Sequence, residues 1–163
     1  MNTTTTLSSM LNTQIQKEFE SAYIYLGFAA FFDMKGLAGI SEWYRQQAKE
    51  EEEHAMKIYD YLCKVNQPVE LLPIGAPKNK PETISQVLKQ SLEHEEYVTN
   101  LITTLYFQAE KEKNLFAKNF LNWFINEQLE EEQKAKELID KYKMFGSTPE
   151  GLYALDKELG GRQ

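Results

Sequence analysis

A single cysteine, Cys63, stands among 163 residues. Neither an internal disulfide framework nor a Cys-x-x-Cys metal knuckle is therefore available, and a reducing, cytoplasmic setting is expected. Long hydrophobic runs are missing too: no window approaches the ~18 uninterrupted apolar residues of a membrane span. The opening stretch Met1-Asn2-Thr3-Thr4-Thr5-Thr6-Leu7 lacks the basic and apolar segments of a secretory signal. Positive charge is in deficit, with 18 Lys and Arg against 25 Asp and Glu. That balance argues against a nucleic-acid partner and favours cationic ligands. Proline is scarce and clustered: Pro68, Pro73, Pro77 and Pro81 all fall between Asn66 and Pro81, together with Gly75. Such a segment cannot be helix and must be a connection.

The rest reads as helix. Leu11, Ile15, Phe19, Ala22, Leu26 and Ala29 recur at helical spacing, with Ser8 or Ser9 as the expected cap. Gly36 and Gly39 permit a turn, and a second helix runs to about Val65 on Ile40, Trp43 or Tyr44, Ala48, Ala55, Ile58 and Leu62. Thr83 opens a third, carrying Val87, Leu88, Leu92, Val98, Ile102 and Leu105. A break near Glu112-Lys113-Asn114 leads to a fourth with Phe116, Phe120, Trp123, Phe124, Ala135, Leu138 and Ile139. Thr148-Pro149-Glu150 then reads as N-cap, first-position proline and first-turn acid of a short fifth helix, closed by Gly160-Gly161. The two short breaks make antiparallel hairpins, whereas the proline-rich connection, ~15 residues at up to ~3.3 Å each, spans the bundle. The expected fold is all-α: one domain over 1–163, a four-helix bundle at about 7–145 with one long crossover between helices 2 and 3, and the fifth helix at about 149–159.

One run stands out within the second helix, Lys49-Glu50-Glu51-Glu52-Glu53-His54. Glu51 and His54 are three residues apart and share a helical face, the spacing with which di-iron carboxylate sites are held in bundles. Measured from the turn at Gly36, Glu18 lies 18 residues before and His54 18 after; from Lys113, Glu95 lies 18 before and Glu131 18 after. Glu18, Glu51 and His54 each reappear 77 positions later, as Glu95, Gln128 and Glu131. The offset also carries Glu50 to Glu127, Glu53 to Glu130 and Leu11 to Leu88, a weak internal repeat. It brings six polar groups from four helices to one level, where charge is costly unless paired or metal-bound. Carboxylates with one imidazole suit Fe(II), and would also take Zn(II), Mn(II) or Co(II). Glu51 is the natural bridge. Gln128 is a poor ligand, so a second metal on Glu51, Glu95 and Glu131 binds more loosely, as suits iron that is oxidised and passed on.

Over essentially its whole length, including Glu150-Gly151-Leu152-Tyr153-Ala154-Leu155-Asp156-Lys157-Glu158-Leu159, the chain resembles prokaryotic-type non-haem ferritins. Ferritin-like di-iron proteins are themselves the standard illustration of such a bundle site. The resemblance implies a ferroxidase centre with Glu18, Glu51 and His54 at one iron and Glu51, Glu95 and Glu131 at the other, Gln128 adjacent. It implies a third iron position formed by Glu50, Glu127, Glu130 and Glu131, and O₂ or peroxide as oxidant. It also implies a homo-oligomeric shell of 24 subunits storing ferric mineral. Haem is not expected, because bacterioferritins bind it through a Met directly after the helix-2 ligand, where Glu52 stands here, and they repeat Glu-x-x-His where this chain has Gln128-Leu129-Glu130-Glu131.

Tyr25, two turns after Glu18, reads either as a core tyrosine or as an electron donor or hydrogen-bond partner of the site, and the resemblance favours the second. Trp123 reads as core, with a redox role as the alternative. His94 is expected at the surface and Cys63 in a structural role. Two other classes compete with iron storage: a substrate-oxidising di-iron enzyme, and a non-catalytic helical assembly protein with a vestigial acidic core.

Overall fold

A computed structural model describes residues 6–78 and 80–162. Residues 1–5, and with them most of the stretch read against a secretory signal, lie outside the described residues. Five helices follow in order: α1 (Leu7–Met34), α2 (Ala38–Lys64), α3 (Ile84–Lys111), α4 (Leu115–Phe145) and α5 (Pro149–Gly160). Among the described residues no strand is present, and no helix is long and apolar enough to cross a membrane.

Local chemistry sets the helix ends. Thr83, Asn114 and Thr148 accept side-chain bonds from the amides of Gln86, Ala117 and Gly151, satisfying donors that the first helical turn leaves orphaned. On α1 the cap is Thr6, which accepts from the Ser9 amide, not Ser8 or Ser9 themselves. The α1–α2 and α3–α4 turns pass through left-handed backbone at Gly36 (φ +74°) and Lys113 (φ +53°), at equivalent points of the 77-residue repeat. The crossover then returns along α1. Asn12 donates to the Pro68 carbonyl at 3.0 Å and accepts from the Glu70 amide at 2.7 Å; Gln16 holds the Pro73 carbonyl. Retracing the length of α1 makes α3 start at the end where α2 starts, so these two helices run parallel.

The apolar core comes in two parts. One gathers Leu11, Ile15, Ile58, Leu62, Ile102, Leu105, Leu121 and Phe124. The other gathers Tyr25, Phe28, Phe32, Ile40, Tyr44, Leu88, Leu138, Leu155 and Leu159. On every long helix the polar positions singled out above fall between the two parts.

Several expected core positions lie elsewhere. Leu26 is exposed, while Tyr25, Phe28 and Phe32 line the interior of α1. Leu11, Ile15, Ala22 and Ala29 of the expected stripe are buried, and the inward face of α1 also takes in Glu18 and Tyr25, the latter in place of its neighbour Leu26. Phe116 is 80% exposed and Trp123 37% exposed, whereas Leu121 and Phe124 carry the core face of α4. Leu155 and Leu159 of α5 pack into this chain's own core, leaving Tyr153 outside. Where α5 meets α2 the fit is tight: a Cβ at Gly39 would fall 1.8 Å from the Asp156 carbonyl oxygen.

Candidate metal centre

Between the two apolar clusters, α1 supplies Glu18, α2 supplies Glu51 and His54, α3 supplies Glu95, and α4 supplies Gln128 and Glu131. All six are buried. His54 Nδ1 lies 3.2 Å from Glu51 Oε2 and 3.9 Å from Glu18 Oε2. Three sets of side chains each offer ligand atoms within 4.8 Å of one another: Glu18, Glu51 and His54; Glu51, Glu95 and Glu131; and His54, Glu127 and Glu131. Glu51 belongs to both of the first two, the position a carboxylate shared by two cations would occupy. Of the 77-residue pairs, His54 and Glu131 fall in one of these sets.

The carboxylates are oriented by amides and a phenol. Gln14 donates to Glu18 Oε1 at 2.9 Å, and Glu18 Oε2 is left buried without a hydrogen-bond partner. Tyr25 donates its hydroxyl proton to Glu95 Oε1. From the other side, Gln128 donates to Glu95 Oε2 at 3.2 Å and to the Glu95 carbonyl at 3.2 Å. Gln47 donates to Glu131 Oε2, while its own Oε1 is buried and unpartnered. Gln14 and Gln47 each sit one helical turn before a carboxylate, at Glu18 and Glu51. That i, i+4 spacing is the signal by which the sequence could have shown Gln14, which bonds Glu18, but not Gln47, whose partner Glu131 lies on another helix.

Burial governs the charge state. It pushes the Glu51 carboxyl well above its ordinary range, with Glu95 and Glu18 adding repulsion. It lifts Glu95 to about 8, with Glu131 adding to the rise and the bonds from Tyr25 and Gln128 opposing it. Glu131 is also raised by burial, against the pull of Lys134 and the bond from Gln47. The Tyr25 phenol rises well above 10 through burial and then the neighbouring Glu95 and Glu51, which keeps it protonated and donating. Without a cation, burial favours the protonated forms of Glu51, Glu95 and Glu131. A divalent cation would replace those protons, and oxygen donors with one imidazole match iron and its divalent neighbours.

The remaining acidic candidates are spread outward. Glu127 is half-buried, its Oε1 3.6 Å from His54 Nε2. Glu130 is exposed. Glu50 belongs to none of the three clusters and is instead ion-paired: Oε1 to the Arg162 guanidinium at 2.7 Å, Oε2 to the Lys134 ammonium at 3.4 Å. Lys134 also reaches Glu131 Oε1 at 3.2 Å. Burial alone would lower the Lys134 pKa, but Glu131 and Glu50 outweigh it and hold the ammonium above its usual value. Neither Lys134 nor Arg162 figured in the sequence reading. Lys134 sits three residues after Glu131, whereas nothing in the sequence links Arg162 to Glu50 across 112 positions.

Two aromatic residues are placed differently from expectation. His94 is not at the surface: it is half-buried, bonded to the Ser21 hydroxyl at 2.7 Å, with its ring 5.8 Å from that of Tyr25. Burial lowers its pKa to about 4, so it stays neutral. Trp123 is not core; it covers one side of His54, with ring centroids 5.5 Å apart, and carries the Lys57 ammonium 3.6 Å from its own ring centroid. Cys63 is exposed.

The arrangement has close relatives. The ferritin-like domain model matches residues 8–145. The chain is 37% identical to a bacterial non-heme ferritin of Staphylococcus haemolyticus over 156 residues, covering 96% of this chain and 94% of that one. It is 33% identical to a probable bacterial non-heme ferritin-like protein of Haemophilus influenzae, covering 93% and 92%. Among solved structures it resembles an open pore ferritin from the hyperthermophilic archaeon Archaeoglobus fulgidus, with a TM-score of 0.94 and 38% identity over 96% of this chain and 97% of that chain. On its fold and on these matches, the chain belongs to the ferritin family.

Proposed function

We propose that this chain is a cytoplasmic iron-storage ferritin subunit whose buried centre is a ferroxidase. The observation that carries the reading is the shared position of Glu51, within reach of Glu18 and His54 on one side and of Glu95 and Glu131 on the other. Two Fe(II) ions are the substrate, one on each set. Each gives up one electron to O₂, which takes two protons and leaves as hydrogen peroxide; peroxide can serve as oxidant in its turn. Glu18 Oε2, buried and unpartnered, suits the first iron. The second rests on Glu95 and Glu131, with Tyr25 and Gln128 fixing the Glu95 carboxylate and no imidazole of its own, so it is held more weakly and moves on to storage. A third iron position beside the pair draws on Glu127 and Glu131, with Glu50 and Glu130 as the further carboxylates the resemblance assigns. Twenty-four copies enclose the ferric mineral.

Stopped-flow oxidation tests the centre. Glu51→Ala removes the bridge and should slow initial Fe(II) oxidation by at least about a hundredfold, beyond the loss expected for an outer partner. Unchanged initial rates in a folded variant would sink the reading. Oxidation that stops at about two irons per chain, the capacity of a fixed two-metal site, would favour the substrate-oxidising di-iron enzyme instead.

A further inference from the structure

The third position, as the resemblance draws it, needs Glu50 as a ligand, yet both oxygens of Glu50 are already engaged by cations of this chain. Arg162, two residues past the end of α5, donates to Glu50 Oε1 at 2.7 Å and to the Trp43 carbonyl at 3.1 Å. Its guanidinium also lies over the Trp43 ring, 4.6 Å from the centroid. It is held three ways, and its side chain is only 13% exposed. Lys134 stands between Glu50 Oε2 and Glu131 Oε1, at 3.4 and 3.2 Å. A divalent cation bound by Glu50 would meet a guanidinium and an ammonium at short range, a repulsion that only their departure relieves.

We propose that Lys134 and Arg162 form a built-in cationic clamp that withholds Glu50 from metal, so that a third ion beside the ferroxidase pair can take Glu50 as a ligand only by displacing this chain's own charges. The clamp rests on the ferroxidase reading and adds to it a control on accessory iron. It also joins the C-terminal segment to the centre: α5 presents Arg162, and Arg162 holds Glu50 next to the bridging Glu51. Glu127, with no Lys or Arg ion-paired to it among the described residues, faces His54 Nε2 at 3.6 Å and is left to meet metal on that side.

Anaerobic calorimetric titration of the iron-free particle with Zn(II), a redox-silent probe, tests the clamp. Wild type should show two steps at the ferroxidase pair, the second weaker than the first, and a still weaker third. Arg162→Gln should tighten the third step by about tenfold, the scale of removing a partly exposed charge-assisted pair, and leave the first two unchanged. Lys134→Met should tighten the third step similarly and strengthen the second, because it also frees Glu131. Particle mass identical to wild type verifies assembly of each variant. A third step that moves by less than about twofold in both variants overturns the clamp. So does a Zn(II)-loaded wild-type crystal in which Glu50 ligates metal while both cations keep their places. If wild type lacks the first two steps, the ferroxidase reading itself fails, and the clamp with it.

Discussion

Glu95 shows how closely position and proton affinity are linked in this bundle. It sits beside Glu131 in a layer without bulk water, and its carboxyl is lifted to about 8 from an ordinary 4.5. Glu51 and Glu131 are raised as well. Between those limits the folded chain keeps protons that the unfolded chain has released. The raised carboxyls therefore stabilise the fold fully below about pH 4.5, and that contribution is lost as pH climbs through about 8. The iron-free particle should melt lower at pH 9 than at pH 6, by about 4–8 °C if ~2 kcal/mol is lost. Zn(II) loading should flatten the trend, since a metal keeps the carboxylates ionised at either pH. A scanning-calorimetry profile that is level or rising for the iron-free particle would contradict this. The buried polar positions of this layer were legible because a 77-residue repeat relates them, independent of their surroundings. Gln47 and Lys134 were not, because an amide and an amine on an acidic helix look like ordinary solvated residues until a partner from another helix is seen against them.

At the level of elements, α2 is unusual in having no cap of its own. Leu37 stands at its N-cap position and offers no side-chain acceptor. The Ile40 amide is instead satisfied by Asp156 Oδ1 of α5 at 2.8 Å, across 116 residues. A cap borrowed from another helix ties the seating of α5 to the start of the helix that carries Glu51 and His54. Asp156→Ala should cost about 1 kcal/mol, the usual worth of an N-cap acceptor. It should also expose the α4–α5 joint to limited proteolysis, whereas Asp156→Asn, which keeps an oxygen, should stay near wild type. Equal losses in both variants would mean the cap is not the cause. Helix existence, order and turns were readable from proline placement, glycine and period. The inward stripe of α1 was readable at Leu11, Ile15, Ala22 and Ala29 but not at Tyr25, where the apolar neighbour Leu26 drew the reading to the exposed side. The seating of α5 was equally hidden: nothing in the sequence pairs Gly39 with Gly160 or Asp156, the close approach that lets Leu155 reach the core.

Taken as one molecule, the chain leaves a good deal of apolar surface in water. Phe107, Leu115, Phe116, Leu129 and Tyr153 are all at least 60% exposed, more than an isolated subunit comfortably carries if such residues adjoin. A closed shell would cover them. Mass photometry of the iron-free protein should therefore find a particle of about 450 kDa (24 × 19.0 kDa). A population of monomers or dimers at micromolar concentration would count against it. The split core has a further consequence, in time rather than in structure. Each helical hairpin closes through a local turn and gathers near-neighbour contacts, steps that are fast. The polar layer exists only after the two hairpins have docked, because its residues come from both. An ion held jointly by Glu51 and Glu131 would bind the docked state alone, and would so slow the parting of the halves. Cargo in transit would then lengthen the lifetime of the container that receives it.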